Sequence, residues 1–173
     1  MTEIIRSRDC VVFFKGDSTT VTVSAAMVAG GWAGGQGVQW DGTIVDDRVV
    51  TYSTGLYGGF LVWGSAEVGD RYTAISDQQT AYRYATMFFG GCLISTSTYE
   101  RYTYASRLAG PLVPLVYQPN DVLYLSSRGL WTKEDELSQQ SPANPFAPAF
   151  FTGFVAQIPK PQNNYWLGIQ TSM

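Results

Sequence analysis

Short runs of β-forming residues, interrupted by turn-forming residues, recur along the whole sequence. The runs are rich in Val, Ile, Thr, Tyr, Phe and Trp, and clusters of Gly, Pro, Asn, Asp and Ser separate them. This pattern is typical of many short strands. Strands are predicted near residues 11–14, 20–24, 38–40, 48–53, 59–63, 71–75, 82–89, 92–104, 112–117, 122–126, 152–158 and 165–170. The predicted fold class is therefore all-β, a small β-barrel or sandwich of short antiparallel strands with little helix.

Helix signals amount to two short turns. Residues 24–29 favour one turn that the glycines after it end, and residues 132–137 favour another. In the second, Thr132 is the expected N-cap, and the acidic residues that follow suit the positive end of a helix dipole.

One internal boundary is predicted near residues 108–111. It separates a β-rich N-terminal region, residues 1–110, from a C-terminal module of residues 111–173, which is of a size at which some β-barrels fold alone. A single continuous domain is the alternative. The three prolines of residues 139–148 predict an extended connection between groups of strands.

Few charges are available to cover the surface of this chain. Charged residues make up 14% of the sequence, against roughly 25% in an average soluble domain. This favours surfaces that are covered by neighbouring subunits, with an uncharged monomer as the alternative. The net charge of -3 disfavours nucleic acid as the main partner. No apolar run approaches a membrane span, and no secretory signal is evident, so we expect a soluble protein made in the cytosol.

The absence of histidine removes the commonest general base and metal ligand. The carboxylates of Asp46 and Asp47, and those of residues 134–136, are the remaining acid–base candidates, but such runs are more often solvated turns or helix starts. Phosphate-loop and dinucleotide motifs are absent from the sequence. We therefore expect no enzyme activity, no cofactor and no metal. Cys10 and Cys92 are interpreted as buried thiols, with a disulfide between them left open.

The glycine-rich segment, residues 30–37, is interpreted as a loop that reaches towards a neighbour. Glycine gives a loop access to unusual backbone angles, and a large aromatic side chain at its tip can fill a partner's pocket. Trp32, Gly34 and Gly35 are accordingly predicted interface residues, and replacing Trp32 with alanine is expected to weaken assembly while sparing the fold. A wide turn is the alternative.

A second candidate interface is residues 99–107, predicted as a strand rich in tyrosine and arginine. Alternation along a strand would put Tyr99, Arg101 and Arg107 on one face and Tyr102 and Tyr104 on the other. These residue types are enriched at protein interfaces, which is the favoured interpretation, and they also suit a platform for single-stranded nucleic acid.

The C-terminal part resembles the small β-barrel of tailed-bacteriophage capsid decoration, or structural cement, proteins. The resemblance is carried by an Asp-Val-Leu-Tyr-Leu-Ser strand at residues 121–126, a Gly-Leu-Trp-Thr turn at 129–132, a Gly-Phe-Val-Ala strand at 153–156 and a closing Leu-Gly-Ile strand at 167–169. The turn-forming residues at 120–121, 128–129 and 163–164 agree with the hairpins that a barrel of this kind requires.

This resemblance implies a function as a virion structural protein on the capsid surface, where it would bind the major capsid protein and itself, most simply as a trimer. A protein of the tail tube, neck or fibre base is the alternative within the virion. A carbohydrate-binding or nucleic-acid-binding module is an alternative of another class.

Overall fold

A computed structural model describes residues 4–41, 49–52, 57–68, 83–140 and 152–171. These ranges contain twelve strands and four short helices, which confirms the all-β fold class with little helix. The strand predicted at residues 71–75 lies outside the described residues, as do residues 141–148 of the proline-rich connection.

Seven of the strands form one open sheet. Its spatial order is β1 (Ile5–Arg6), β2 (Cys10–Phe14), β8 (Leu93–Thr96), β12 (Leu167–Thr171), β11 (Gly153–Gln157), β9 (Val122–Leu125) and β10 (Trp131–Thr132). Every neighbouring pair is antiparallel. The sheet combines strands from both sides of the boundary predicted near residues 108–111, so that boundary does not separate two independent sheets.

The other five strands close into a small barrel. Their order is β3 (Asp17–Val23), β5 (Val49–Tyr52), β4 (Gln36–Trp40), β6 (Gly59–Leu61) and β7 (Arg83–Phe89), and β7 pairs back onto β3. The pairing of β3 with β5 is parallel, and the others are antiparallel. The barrel is therefore built from the N-terminal region, and the prediction of a C-terminal barrel is wrong: β9 to β12 belong to the open sheet.

Two continuous chain segments join the barrel to the sheet. The pair β2 and β8 in the sheet continues into the pair β3 and β7 in the barrel, through Gly16 on one side and Gly90 on the other. A Cβ atom added at Gly16 would lie 2.5 Å from the carbonyl oxygen of Phe89, and Gly90 has a φ of +78°. Glycine is needed at this bend because the two backbones approach closely and one of them turns through a left-handed conformation.

Strand alternation divides the apolar side chains into two cores. The barrel interior is filled by one set of buried side chains: Val21, Val23, Met27, Trp32, Val38, Val50, Leu61, Ala85 and Met87. The outward-facing Phe60 and Phe88 instead pack on the inner face of the sheet, in a second core that includes Trp131, Ile94, Leu123 and Ile169. Neighbouring residues on β6 and β7 thus serve different cores, as the two-residue period of a strand requires.

The first helix prediction is confirmed. Helix α1 (Ala25–Gly30) has Ser24 as its N-cap, whose hydroxyl accepts a hydrogen bond from the Met27 amide, and Gly31 follows with a φ of 73°. The second prediction misplaces the helix start: Thr132 lies in strand β10, and α4 (Glu136–Gln140) begins four residues later. The remaining helices are α2 (Ser65–Val68) and α3 (Tyr104–Leu108).

Hydrogen bonding explains the later start of α4. The hydroxyl of Thr132 accepts a hydrogen bond from the Glu134 amide at 3.1 Å, which forms a local turn between β10 and the helix. The three turn positions predicted from Asn120, Gly129 and Asn164 are confirmed, since all three residues have positive φ values.

Candidate functional site

The glycine-rich segment does not project from the protein. Trp32 is only 5% exposed and lies in the barrel core, where its indole Nε1 donates to the carbonyl oxygen of Trp63 at 2.9 Å. Gly34 and Gly35 are also buried, and the last two residues of the segment belong to strand β4. The interpretation of this segment as an outward-reaching loop is therefore wrong, and Trp32, Gly34 and Gly35 present little surface to a partner.

Its glycines instead allow the barrel and the sheet to touch. The carbonyl oxygen of Gly35 accepts a hydrogen bond from the Trp131 indole at 2.8 Å, and the amide of Gly37 donates to Gly129 at 2.8 Å. A Cβ atom at Gly37 would lie 2.8 Å from Cδ2 of Leu125 and closer still to Cδ1. The barrel and the sheet are thus in close contact along this segment, and at Gly37 a residue larger than glycine does not fit.

Residues 99–107 do not form the predicted strand. Tyr99 and Tyr102 make isolated bridges, with Trp131 and Pro114 respectively, and α3 begins at Tyr104. The N-cap of α3 is Thr103, whose hydroxyl accepts from the Ser106 amide at 3.3 Å. Threonine at this position starts a helix because its side chain satisfies an amide that lacks a partner in the first turn.

The five predicted interface residues of this segment therefore have different surroundings. Tyr99 is buried, with the guanidinium of Arg101 4.6 Å from the centre of its ring. Arg101 and Tyr102 are exposed, whereas Tyr104 and Arg107 are half-buried. Arg101 and Tyr102 remain accessible to a partner, and their interface role stays a prediction.

The most exposed apolar surface lies just beyond these residues, in a hairpin-like segment that we call the arm, residues 101–117. Its base is paired: the Thr103 amide donates to Val113 at 2.9 Å, and the Leu115 amide donates to Arg101 at 2.8 Å. Its tip holds α3 and the turn after it. The aliphatic side chains of this tip and its flank are more than half exposed: Leu108 68%, Leu112 55%, Val113 52% and Val116 65%.

A buried ion-pair network fixes the arm to the body of the protein. Arg107 of α3 lies between two carboxylates, with its Nη1 3.3 Å from Glu100 Oε1 and its Nη2 bonded to Glu136 of α4. Arg128, in the turn between β9 and β10, binds the same Glu100 through both Nε and Nη2. Glu100 and Glu136 are almost fully buried, and two guanidinium groups balance their charge. Such a network fixes geometry because breaking one buried pair leaves a charge uncompensated.

Burial is the largest influence on Glu136, and it raises the pKa of this carboxyl, while the hydrogen bond and charge of Arg107 act in the opposite direction. Sequence reasoning interpreted residues 134–136 as a solvated turn or a helix start. Glu136 does begin α4, but its side chain is buried and not solvated. It also missed Glu100 and Arg128 as partners of Arg107. The local sequence carries no signal for these pairs, because they join segments that are about thirty residues apart.

A second exposed apolar surface crosses the outer face of the sheet. Strand register places five residues in one row, namely Phe14, Leu93, Gln170, Phe154 and Val122. All except Gln170 are exposed apolar side chains. A β-bulge between Val12 and Phe14 also exposes the adjacent Phe13. We call Phe13 and this row together the stripe.

A surface groove of about 640 Å³ lies near the mouth of the barrel, with Arg8, Trp32, Tyr52 and Arg128 among its lining residues. Three of its polar side chains already have partners within the protein. Arg128 binds Glu100, Arg8 binds Asp9 at 3.4 Å, and the Tyr52 hydroxyl donates to the carbonyl oxygen of Gly31 at 2.7 Å. This groove therefore offers little unpaired chemistry with which to fix a ligand.

No metal-binding cluster of three or more His, Cys, Asp or Glu side chains occurs in the part of the chain that the structure describes. Asp46 and Asp47, considered above as an acid–base pair, lie outside it. The thiols of Cys10 and Cys92 are free and buried. Among the described helices, none has the length and apolar character required to span a bilayer.

Comparison with known proteins finds no match to a family model, to a curated protein or to a solved structure. The candidate site of this protein is thus defined by its own geometry: a rigidly anchored arm with an apolar tip, and an apolar stripe on the outer face of the sheet.

Proposed function

We propose that this chain is a structural protein of a bacteriophage virion, a decoration or cement protein that binds the outside of the assembled head shell and reinforces it. Its partners would be the major capsid protein and further copies of itself. The observation that carries the proposal is the arm, because it presents exposed aliphatic side chains on an anchored base. A protein that works by burying surface needs such preformed contact sites and no reactive groups.

Because the arm is held in place in the free protein, it should lose less free energy to ordering when it binds a partner. Association costs free energy for every side chain and loop that must be ordered, so a contact that is already fixed in the free protein loses less. Ser106 holds the two sides of the arm together, since its hydroxyl donates to Thr103 and accepts from the Val113 amide at 3.0 Å. The Tyr117 hydroxyl ties the end of the arm to the backbone oxygen of Glu100 at 2.6 Å.

The resemblance to cement proteins supports the same proposal through its turns. The motif-bearing strands are β9, β10, β11 and β12, and the left-handed positions at Asn120, Gly129 and Asn164 lie where the resemblance requires hairpins and turns. These strands pair within an open sheet instead of closing a separate barrel. The likeness therefore concerns strand order and turn chemistry, and the shell-binding role is our proposal.

A non-enzymatic role agrees with the way the ionisable side chains are used. The two buried carboxylates, Glu100 and Glu136, are bound by guanidinium groups that link α3, α4 and the β9–β10 turn. Groups held in this way stabilise a structure, whereas a general acid or base must reach a substrate within hydrogen-bond distance.

Copy number in purified particles tests the proposal. A shell-decorating protein should be present in hundreds of copies per particle, measured by quantitative mass spectrometry against the major capsid protein. A tail, neck or fibre-base protein should be present in far fewer copies, and that result would replace our proposal with the alternative location. Complete absence from the particle would overturn both.

A stability measurement complements the count. Particles assembled without this chain should release their DNA at a lower temperature than complete particles, because reinforcement is lost at every shell contact. Adding the purified chain back should restore the original release temperature. If particles without the chain are as heat-stable as complete ones, the protein does not act as cement.

A further inference from the structure

We propose that a pocket at the base of the arm binds the C-terminal residue of a polypeptide chain, with the terminal carboxylate on Arg101 and an apolar last side chain against the pocket wall. This base pocket has a volume of about 370 Å³ and is lined by Tyr99 and Arg101, by residues 115–118, and by Ile158 and Pro159. Its volume is near the lower end of the range of roughly 300–1,000 Å³ that is typical of small-ligand sites. The pocket would bind such a chain whether or not the protein is part of a virion.

Most of the pocket wall is apolar. Four aliphatic side chains line it, namely Leu115, Val116, Ile158 and Pro159. The rings of Tyr99 and Tyr117 complete the wall, with their centres 5.5 Å apart and their planes at 89°. Both hydroxyls already have partners, since Tyr99 donates to the backbone oxygen of Tyr165 at 2.7 Å and Tyr117 donates to that of Glu100 at 2.6 Å. The wall therefore favours an apolar group on the ligand.

Arg101 supplies a guanidinium group with unused hydrogen-bonding capacity. Its Nη1 donates to the Tyr99 hydroxyl at 3.0 Å, and a guanidinium carries five N–H donors in all. Among the residues that the structure describes, no carboxylate pairs with Arg101. The neighbouring Glu100 is already bound by Arg107 and Arg128. The planar guanidinium of Arg101 is thus exposed and can form a two-pronged contact with a carboxylate.

This guanidinium is held in position in the free protein. It lies 4.6 Å from the centre of the Tyr99 ring, and the Tyr99 hydroxyl is itself fixed by the backbone oxygen of Tyr165. Tyr165 has a φ of +59°, which is unusual for a bulky residue, and its amide donates to Lys160 at 2.9 Å. Strained backbone of this kind occurs preferentially at binding sites. Because Arg101 is already ordered, a ligand loses less free energy when it binds.

The charges around the base pocket favour an anion with a single charge. Asp121 accepts from the Gln118 amide at 2.7 Å, but its charge is balanced by Lys133 at 2.9 Å. Lys160 follows the last lining residue, and within the described ranges it pairs with no carboxylate. Arg101 and Lys160 therefore give the pocket a positive charge in a chain whose net charge is -3. One carboxylate answers this charge, whereas a doubly charged phosphate would lose more hydration against the apolar wall.

The surroundings of the pocket favour the end of a chain over a small free acid. Val116 lines the pocket and is 65% exposed, and the exposed aliphatic side chains of the arm continue to Val113 and Leu112. A ligand confined to the pocket leaves these side chains in water. The residues before a C-terminus can cover them, and capture of a terminal carboxylate is a recurring mode of peptide recognition.

Titration of the full chain with matched probes tests the proposal. The probe is N-acetylphenylalanine, and its controls are N-acetylphenylalanine amide, which lacks the charge, and acetate, which lacks the apolar group. The acid should bind at least about 10-fold more tightly than the amide, because hydrogen bonds to a charged group contribute that factor or more. Acetate should bind more weakly than the acid. Backbone amide shifts measured by NMR should change most at residues 115–118.

Variants assign the two halves of the contact. Arg101→Gln should lower the affinity for the acid to that for the amide, a loss of about 10-fold, and leave the amide unaffected. Arg6→Gln removes the same charge at an exposed position of β1, outside the pocket, and should change neither affinity. Val116→Ser should weaken acid and amide equally, by about 4-fold, the contribution of one buried CH₂ group. Thermal unfolding checks each fold. If Arg101→Gln does not fold, Arg101→Lys, which keeps the charge and loses the planar fork, takes its place and should reduce the preference for the acid.

A longer probe distinguishes a chain from a free acid. N-acetyl-Leu-Val-Phe should bind at least about 4-fold more tightly than N-acetylphenylalanine, and the variant Leu112→Ser with Val113→Ser should lose this gain. Equal affinity of the two acids would overturn the assignment to a chain end. Equal affinity of acid and amide, or a preference for the acid that persists in folded Arg101→Gln, would overturn the pocket itself. These measurements use the purified chain alone, so their failure is distinguishable from a failure of the copy-number test of the proposed function.

Discussion

The glycine-rich segment at residues 30–37 and the arm at residues 101–117 differ from their sequence-based interpretations in opposite directions. The first was expected to project and is buried between the barrel and the sheet, while much of the second was expected to be strand and instead exposes apolar side chains. Glycine permits flexible loops, and it equally permits two backbones to approach closely. Apolar residues fill cores, and they equally form contact surfaces when proline and helix ends keep them out of a sheet.

The largest expected effect that tests this comparison is the loss of Trp32. Its side chain is buried in the barrel core and bonded to Trp63, so Trp32→Ala should lower the free energy of unfolding by about 3–5 kcal/mol. Chemical denaturation followed by circular dichroism measures this. The matched control is Trp40→Ala in strand β4, because the Trp40 side chain is 45% exposed. There the loss of unfolding free energy should be much smaller. Equal losses at the two positions would contradict the burial of the segment.

A smaller effect is expected where the segment meets the sheet. Gly37→Ala should lower the free energy of unfolding by about 1–3 kcal/mol, because the added methyl group overlaps the side chain of Leu125. Leu125→Ala removes that obstacle. In a double-mutant cycle the combined loss should therefore be less than the sum of the single losses, since the two residues are in direct contact. Additive losses would show that Gly37 is needed for another reason.

Local chemistry explains what the sequence could predict. The helical turn that begins near Ser24 and the turns at Asn120, Gly129 and Asn164 depend on residues within one turn, and all were predicted correctly. The all-β class was also predictable, because it depends on strand-forming residues throughout the chain. These features need no knowledge of which distant segments meet.

Distant contacts explain what could not be predicted. The burial of the glycine-rich segment depends on Trp131, which is 96 residues from its hydrogen-bond partner Gly35. The conformation of residues 99–107 depends on Glu136 and Glu134, which bind Arg107 and the Tyr104 amide. By itself, the alternation of tyrosine and arginine in this segment favours a strand. The contacts with Glu136 and Glu134 favour the short helix α3 instead. The location of the barrel depends on which strands pair, and a single sequence does not determine that.

The anchoring of the arm is tested by a pH dependence. Burial raises the pKa of Glu136 above its usual value of 4.5. A carboxyl with a raised pKa in the folded state contributes stability that is fully present below its unfolded pKa and is lost as pH rises through the folded pKa. Glutamine does not titrate, so the stability of the unmodified chain relative to Glu136→Gln should fall as pH rises from about 4.5 towards neutrality.

Urea unfolding of both proteins across this pH range measures the difference directly. Glu134→Gln is the comparison variant, because Glu134 is half-buried and also binds α3, through the Tyr104 amide. If the stability of the unmodified chain relative to Glu136→Gln instead rises with pH, the hydrogen bond and charge of Arg107 outweigh burial, and the ionised form of Glu136 stabilises the attachment of the arm.

The smallest expected effect on folding is at the tip of the arm. Leu112 and Val113 are more than half exposed, so replacing both with serine removes little buried area and should change the free energy of unfolding by less than about 0.5 kcal/mol per position. The backbone bond from the Thr103 amide to Val113 does not depend on the side chain and should persist. The same urea titration measures the change, and Leu123→Ser, at a fully buried position of β9, is the contrasting variant and should be severely destabilising. A large loss at the tip would mean that Leu112 and Val113 pack within their own copy, and the arm would then be part of the core instead of a contact surface.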